Sequence, residues 1–253
     1  MIAIILTNIL FTLLTPACCR SSRHRLDPER LALQIGRPGH VEFFVMSMCP
    51  DTSWCVQEFA PVLQQVAAET HLTVALTFLG SVREHSVECM HGPKECAGNK
   101  WGVCVQEVSG NNVTQLMQFF SCQTYKQSTI PENGAECAEA ANVNAESVRQ
   151  CAAAERGDIL LEQSAKHAVA VGVKQSCTIQ LNGQPFCKYD GGQWKDCAQC
   201  GKNKAKCLRE AILNPSMEAL HDERSAAERL AKRSIWQALQ LFSVLISVVG
   251  FAF

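Results

Sequence analysis

The sequence predicts an α/β fold, within that class an α+β arrangement, in which a cysteine-rich helical insertion interrupts one small sheet. Two observations predict it. An early strand runs directly into an amphipathic helix and a second strand, and a β-hairpin signal follows much later in the chain. With 253 residues, the chain is long enough for one large domain with appendages at its ends.

The first strand, helix and strand follow from hydrophobic periodicity. Residues 41–46 are apolar and rich in β-branched and aromatic side chains, as is typical of a buried strand. From residue 53 to residue 68 apolar side chains recur at helical spacing, with a kink expected at Pro61. Residues 72–79 alternate like a strand, and the helix supplies the crossover that would make this strand parallel to the first.

Helices are predicted again after a cysteine-rich segment. This segment, about residues 80–145, interrupts the sheet as the insertion. Helical patterns then cover residues 146–154 and 158–171. We expect Asp158 to cap the N-terminus of the second helix and Gly172 to end it, because short acidic side chains and glycine favour these two positions.

A hairpin completes the predicted sheet. Residues 177–181 form a strand, Asn182-Gly183 is a strong two-residue turn signal, and residues 184–188 form the returning strand. Strand, helix, strand, helical insertion, helix and hairpin is the element order of a thioredoxin-like sheet with a cysteine-rich helical insertion.

Charge and composition exclude several classes of function. The chain has 23 basic and 24 acidic side chains and a net charge of −1, so it lacks the positive charge of a nucleic-acid-binding protein. Its 47% apolar residues exclude a wholly disordered chain. Fifteen cysteines are too many for an ordinary cytosolic protein, and they indicate an oxidising compartment.

The N-terminus indicates entry into the secretory pathway. Residues 1–17 resemble a signal peptide, with a short apolar stretch and small residues that suit cleavage after Ala17. A retained membrane anchor is the alternative. Secretion would make Asn112 a usable N-glycosylation site, because Asn112-Val113-Thr114 matches the acceptor sequence.

The C-terminus carries a second apolar segment. We divide this part of the chain into a domain over residues 39–210, a polar spacer over residues 211–234 and an apolar tail over residues 235–253. Small residues, a polar spacer and a terminal apolar tail match a lipid-anchor signal. A membrane span and an amphipathic helix packed on the domain remain open, so membrane attachment through the tail is one of three alternatives.

Candidate chemistry centres on Cys49, at the predicted junction of strand and helix. The positive end of a helix favours a thiolate, which is the form that attacks a disulfide. A resolving cysteine usually follows three residues later, but Thr52 occupies that position and the next cysteine is Cys55. A helix regular from Pro50 would separate Cys49 from Cys55 by about 9 Å, beyond disulfide reach, whereas a loop preceding a helix that starts near Ser53 would remove this obstacle.

Ten further cysteines are expected to form structural bridges. Secreted cysteines usually pair, and an even number allows five bridges whose connectivity the sequence does not give. Three of them could alternatively suggest a zinc site, but no nearby histidine completes a ligand set, so we expect no metal and no organic cofactor. The ten are Cys89, Cys96, Cys104, Cys122, Cys137, Cys151, Cys187, Cys197, Cys200 and Cys207.

One cysteine motif resembles that of a known family. Cys89-Met90-His91-Gly92-Pro93-Lys94-Glu95-Cys96, followed by Asn99 and Cys104, is similar to the signature of the gamma-interferon-inducible lysosomal thiol reductase (GILT) family, which usually has glutamine at the position of Met90. The resemblance covers about residues 39–200. It implies a thioredoxin-like fold with an insert, and reduction of protein disulfides in a lumenal or extracellular compartment.

The resemblance also identifies candidate catalytic cysteines. The family's redox motif is Cys-x-x-Cys, and Cys49 matches its first cysteine. The related superfamily places a cis-proline before the hairpin strand, facing the redox cysteines, and in this chain that place falls at Cys177. Three alternatives follow: Cys49 and Cys55 form the redox pair, Cys49 and Cys177 form it, or the protein has no redox activity.

Three side chains near these motifs have alternative interpretations. His91 suits either acid–base chemistry or structural hydrogen bonding, and the second is favoured. Asp51 could influence the Cys49 thiolate or cap the helix, and capping is favoured. Trp54 could face a substrate or pack in the core.

The sequence thus leaves two classes of function open. The first is a disulfide reductase that acts on disulfide-containing proteins, uses an external thiol as reductant, and is secreted, lysosomal or vacuolar, or lipid-anchored at the cell surface. The second is a non-catalytic, disulfide-rich binding module of the same fold.

Overall fold

The computed structural model describes residues 39–84, 86–197 and 200–214. The predicted signal peptide, the apolar tail and nearly all of the polar spacer lie outside these residues. The strands are β1 (Gly39–Val45), β2 (Leu72–Phe78), β3 (Ser81–Arg83), β4 (Ser86–Glu88), β5 (Thr178–Leu181), β6 (Gln184–Asp190) and β7 (Gln193–Lys195). The helices are α1 (Pro50–Glu69), α2 (Pro93–Val108), α3 (Val113–Tyr125), α4 (Gly134–Ala140), α5 (Ala145–Ala153), α6 (Glu155–Val171) and α7 (Lys204–Leu213), with a 3-10 turn at Gln127–Thr129.

Five of these strands form one sheet in the order β2-β1-β5-β6-β7, and β3 pairs with β4 separately. Strands β1 and β2 are parallel, as predicted, because α1 connects them. Strand β5 runs antiparallel to β1 and continues into β6 through the Asn182-Gly183 turn. A parallel strand–helix–strand unit followed by an antiparallel hairpin is a thioredoxin-like arrangement, so the predicted fold class is confirmed.

The two faces of β1 contact different hydrophobic clusters. Successive strand residues point to opposite faces. Val41, Phe43 and Val45 join the main core with α1, where Phe59 packs edge-on against Phe43 at a ring-centroid distance of 6.2 Å. Phe44 points the other way, into a small cluster with Ala168 of α6. A side chain near the end of β1 therefore belongs to one of two separate apolar environments.

Helix α2 of the insertion and helix α6 cover the β2 edge of the sheet. Gln106 of α2 makes two hydrogen bonds with the backbone of Leu76, accepting from its N–H and donating to its carbonyl, each at 2.8 Å. Ser164 of α6 accepts a hydrogen bond from the Phe78 N–H at 2.7 Å. These contacts satisfy backbone groups that an edge strand would otherwise leave unpaired.

The structure corrects two predicted helix starts. Helix α1 begins at Pro50, not near Ser53, and continues through Pro61 to Glu69. Helix α6 begins at Glu155, and its N-cap is Ala154. Asp158 therefore lies inside the first turn of α6, where its carboxylate pairs with Lys100 at 3.1 Å. Gly172 ends α6 with a left-handed φ of 80°, as predicted.

The ten cysteines expected to be structural do pair with one another. Two bridges join pairs of helices: Cys104 of α2 is bonded to Cys151 of α5, and Cys122 of α3 to Cys137 of α4. The other three are Cys89–Cys96, Cys187–Cys197 and Cys200–Cys207. Within the described parts of the chain, no helix has the length and apolar character needed to cross a membrane.

Candidate functional site

Cys49 lies where β1 ends and α1 begins. It is the N-cap residue of α1, with extended backbone angles, and Pro50 occupies the first turn, where its missing N–H costs no helical hydrogen bond. The Cys49 N–H donates to the Met46 carbonyl at 3.1 Å, and its own carbonyl accepts from the Ser53 N–H at 3.3 Å. Among the described cysteines, Cys49 is the one outside a disulfide.

The helical insertion holds the Cys49 backbone in place. The Gln127 side-chain amide donates to the carbonyl of Cys49 at 2.7 Å and to that of Ser47 at 3.2 Å. Asn99 of α2 accepts from the Ser47 N–H at 2.9 Å. A Cβ on Gly98 would lie 2.7 Å from the Ser47 hydroxyl oxygen, so glycine is required for this close approach of α2. The insertion therefore fixes the loop that presents Cys49.

Cys49 packs on the α6 side of the sheet. It is 7% exposed and clusters with Phe44, Met46, Leu79 and Ala168. The Phe44 ring also stacks on His167, with a centroid distance of 6.3 Å. A substrate disulfide must therefore approach a Cys49 sulfur that is nearly buried among apolar side chains.

Thr52 occupies the position three residues after Cys49. Its hydroxyl shares a 2.5 Å hydrogen bond with the Ser176 hydroxyl and accepts from the Met46 N–H at 3.3 Å. Thr52 is fully buried, and Ser176 is 5% exposed. This hydroxyl pair joins the first turn of α1 to the residue that precedes Cys177.

Cys55 and Cys177 are bonded to each other, with their Cα atoms 6.4 Å apart. Both are fully buried in the main core. The two pairings expected from the sequence, Cys49 with Cys55 and Cys49 with Cys177, are therefore both absent from the structure. The Ser176–Cys177 peptide is cis, at the position where the resemblance places a cis-proline.

The helix register explains why Cys49 and Cys55 do not pair. Because α1 is helical from Pro50, the two cysteines are six positions apart along a helix, which corresponds to about 9 Å along the axis. A disulfide requires Cα atoms within about 7 Å. Cys177, on the strand side of the main core, is close enough to Cys55 to bond with it.

Asp51 does not cap its own helix. Its carboxylate accepts from the Gly191 N–H at 3.0 Å and from the Gly192 N–H at 3.3 Å, in the turn between β6 and β7. A hydrogen bond from Lys195 holds the pKa of Asp190, at the start of that turn, below its usual range. The prediction of an Asp51 helix cap is therefore wrong, and the side chain joins α1 to the hairpin instead.

His91 and Trp54 also have defined surroundings. The His91 ring nitrogen Nδ1 lies 2.5 Å from a carboxylate oxygen of Glu95, which is fully buried. This contact within the Cys89–Cys96 loop fits the structural interpretation of His91. Trp54 is 67% exposed, so it is not a core residue.

Sequence reasoning missed Gln127, Ser176 and the role of Thr52. No local pattern marks Gln127, because its partners lie 78 and 80 residues away in the chain. Thr52 lies three residues after Cys49, at the usual position of a resolving cysteine. This position was the sequence feature that could have drawn attention to its hydroxyl.

Two predicted sites outside this region are placed as follows. Asn112 is exposed and is the N-cap residue of α3, where its side-chain oxygen accepts from the Gln115 N–H at 3.0 Å. Its glycosylation stays a prediction. The cysteines considered as zinc ligands are all bonded in disulfides, and the described residues contain no cluster suited to a metal ion.

This chain is similar to several known proteins. "GILT-like protein 1" of Drosophila melanogaster is 28% identical over 144 residues, which are 49% of this chain and 57% of the relative's length. MdbA, a thiol-disulfide oxidoreductase from Corynebacterium diphtheriae, has a TM-score of 0.47 at 11% identity, over 71% of this chain and 85% of that protein. DsbA of Chlamydia trachomatis has a TM-score of 0.48 at 13% identity, over 75% and 88%.

The family comparison covers the region that contains Cys49. A model of the gamma interferon inducible lysosomal thiol reductase family matches residues 40–141. These residues include nearly all of β1, the Cys49 junction, α1 and the Cys89–Cys96 motif. Over this segment, the chain is similar to the GILT family.

Proposed function

We propose that this protein is a thiol oxidoreductase that reduces disulfides of protein substrates, with Cys49 as the nucleophile. The observation that carries the proposal is a cysteine outside any disulfide at the N-cap of α1, inside the family-matched segment. Cysteines at helix N-termini are favoured as thiolates by the helix dipole and by unpaired N–H groups.

The proposed reaction begins with attack by the Cys49 thiolate on one sulfur of a substrate disulfide. This attack forms a mixed disulfide between Cys49 and the substrate, and releases the other substrate sulfur as a thiolate. An external thiol supplies the electrons that return Cys49 to its reduced form. The reaction needs neither an organic cofactor nor a metal ion.

We place this activity in a lumenal, lysosomal or extracellular compartment. The six disulfides among the described residues support an oxidising environment during folding, because disulfides rarely persist in the cytosol. The predicted signal peptide supports the same route. We also include membrane attachment through the apolar C-terminal tail in this proposal.

The alternative is a non-catalytic binding module of the same fold. The 7% exposure of Cys49 and the threonine at position 52 favour this alternative.

The test is to incubate the protein, prepared without reductant, with a peptide disulfide and to identify covalent adducts by peptide mass mapping. We expect an adduct at Cys49 and loss of insulin-disulfide reduction in Cys49→Ser. Cys49→Ala is a second control, and circular dichroism confirms that both variants fold. A wild-type protein that forms no adduct and does not reduce insulin would favour the binding module instead, whereas a Cys49→Ser variant with full reductase activity would refute Cys49 as the nucleophile.

A further inference from the structure

We infer that Cys49 works as a single-cysteine thiol: its mixed disulfide with the substrate is resolved by a second, low-molecular-weight thiol and not by another cysteine among the residues that the structure describes. This inference rests on the proposed function and specifies its co-substrate. Three features of the structure support it: the bond between Cys55 and Cys177, the packing of that bond and of Cys49 in different apolar clusters, and the identity of residue 52.

First, both predicted resolving cysteines are already paired. Cys55 and Cys177 are bonded to each other and fully buried. A resolving cysteine must be a free thiol at the moment when the mixed disulfide forms. This bridge joins α1 to the residue before β5 across 122 positions of sequence, and cross-links over long loops stabilise the folded state. The structure therefore assigns it a structural role.

Second, the bridge and Cys49 lie in different apolar clusters. Cys55 and Cys177 belong to the main core with Phe43, whereas Cys49 belongs to the small cluster with Phe44. Phe43 and Phe44 are neighbours on β1, and neighbouring strand residues face opposite sides of a sheet. Exchange between Cys49 and the bridge would therefore require one of these sulfurs to leave the apolar cluster in which it packs.

Third, the position that would suit a resolving cysteine holds a hydroxyl. Residues three apart in a helix have Cα atoms about 5 Å apart, which lies within the Cα range of about 4.4–6.8 Å found for disulfides. In this chain that position is Thr52, and its hydroxyl is bonded to that of Ser176. A hydroxyl cannot accept the substrate sulfur, so the mixed disulfide has no partner in this turn.

The proposed cycle balances with two equivalents of a small thiol. Cys49 attacks the substrate disulfide, forms the mixed disulfide and releases the first substrate thiolate. One small thiolate then attacks the mixed disulfide, restores the Cys49 thiolate and leaves the second substrate sulfur bound to the small thiol. A second small thiolate releases this sulfur as a thiolate. The substrate gains two electrons, and the two small thiols become one disulfide.

The experiment follows the Cys49 adduct over time in the full chain. Wild-type protein is loaded with a cysteine-containing peptide through its symmetric disulfide, and small molecules are removed by gel filtration. We expect the adduct to persist until glutathione is added, with the Cys55–Cys177 bridge intact in the peptide map throughout. Loss of the adduct before glutathione is added, with a new bond from Cys49 to Cys55, Cys177, Cys18 or Cys19, would overturn the inference.

Variants at residue 52 provide the matched comparison. Thr52→Cys restores a cysteine three residues after Cys49, and we expect its adduct to decay roughly 10-fold faster or more without added thiol, because the attack is intramolecular. Thr52→Ser keeps the hydroxyl and should retain a stable adduct. Equal decay in wild type and Thr52→Cys, with a new Cys49 bridge in both, would refute single-cysteine chemistry. Failure of the wild type to form any adduct would instead refute the proposed function.

Discussion

Replacing Gln127 by alanine tests whether the insertion holds the Cys49 loop. The Gln127 amide donates to two carbonyls, those of Cys49 at 2.7 Å and Ser47 at 3.2 Å. Each such hydrogen bond contributes about 0.5–1.5 kcal/mol. The Cys49 carbonyl would keep the Ser53 N–H as a donor, whereas loss of the Gln127 donor to the buried Ser47 carbonyl adds to the destabilisation. Because Ser47 is fully buried and Cys49 nearly so, we expect Gln127→Ala to lower the free energy of unfolding by about 2 kcal/mol.

The same variant should make Cys49 more reactive. Cys49 is 7% exposed, and freeing its carbonyl allows the loop to move outwards, so we expect faster alkylation by iodoacetamide. Urea denaturation without reductant measures the stability change, and mass spectrometry measures the alkylation rate. The rate of Cys49 alkylation should rise more for a larger reagent, a fluorescent maleimide, than for iodoacetamide. The reason is that the near-burial of Cys49 restricts the larger reagent more strongly.

Gln64→Ala is the matched control for this prediction. The Gln64 amide donates to the Ala60 carbonyl of its own helix at 3.2 Å, and it makes no contact with the Cys49 loop. We expect a change within about 0.5 kcal/mol and unaltered alkylation of Cys49. If Gln127→Ala matched Gln64→Ala in both measurements, the insertion would not hold the loop and the reasoning would be wrong.

The remaining predictions concern the hydroxyl pair and the β6–β7 turn. Thr52→Val leaves the Ser176 hydroxyl and a backbone N–H without a partner, so we expect a loss of about 1–3 kcal/mol in urea denaturation. A double-mutant cycle with Ser176→Ala should show coupling of about 1 kcal/mol, and additive losses would contradict a direct hydrogen bond. The lowered pKa of Asp190 means that its contribution to stability is present above the unfolded-state pKa and is lost as pH falls through the folded-state value. Lys195→Met should move the NMR titration of the Asp190 carboxyl to higher pH, and an unchanged midpoint would exclude the Lys195 hydrogen bond as the cause.

The Cys55–Cys177 bridge changes how the departure from Cys-x-x-Cys is understood. The sequence suggests that one of these cysteines replaces the missing resolving thiol. The structure instead pairs them with each other and leaves Cys49 outside the bridge. The unusual spacing is therefore explained by a structural cross-link together with a single reactive cysteine, and no displaced redox pair is required.

Patterns within short stretches of sequence were sufficient to predict most strands and helices near the site. Periodicity predicted β1, β2 and the connecting helix, and Asn182-Gly183 predicted the hairpin, because these features depend on residues close together in the chain. Helix starts were less accurate. Pro50 begins α1 without a capping side chain, so the pattern of apolar residues detected the helix one turn late.

Residue patterns were enough to predict the first two strands, the hairpin, the motif that resembles the GILT family and the ten structural cysteines. The packed structure was needed to show which cysteines pair, that Asp51 binds the β6–β7 turn, and that Gln127 holds the Cys49 loop. Hydrophobic period and turn chemistry act over a few residues. A disulfide or a side-chain clamp instead depends on which atoms the packed sheet and helices bring within bonding distance, and these atoms belong to residues far apart in the chain.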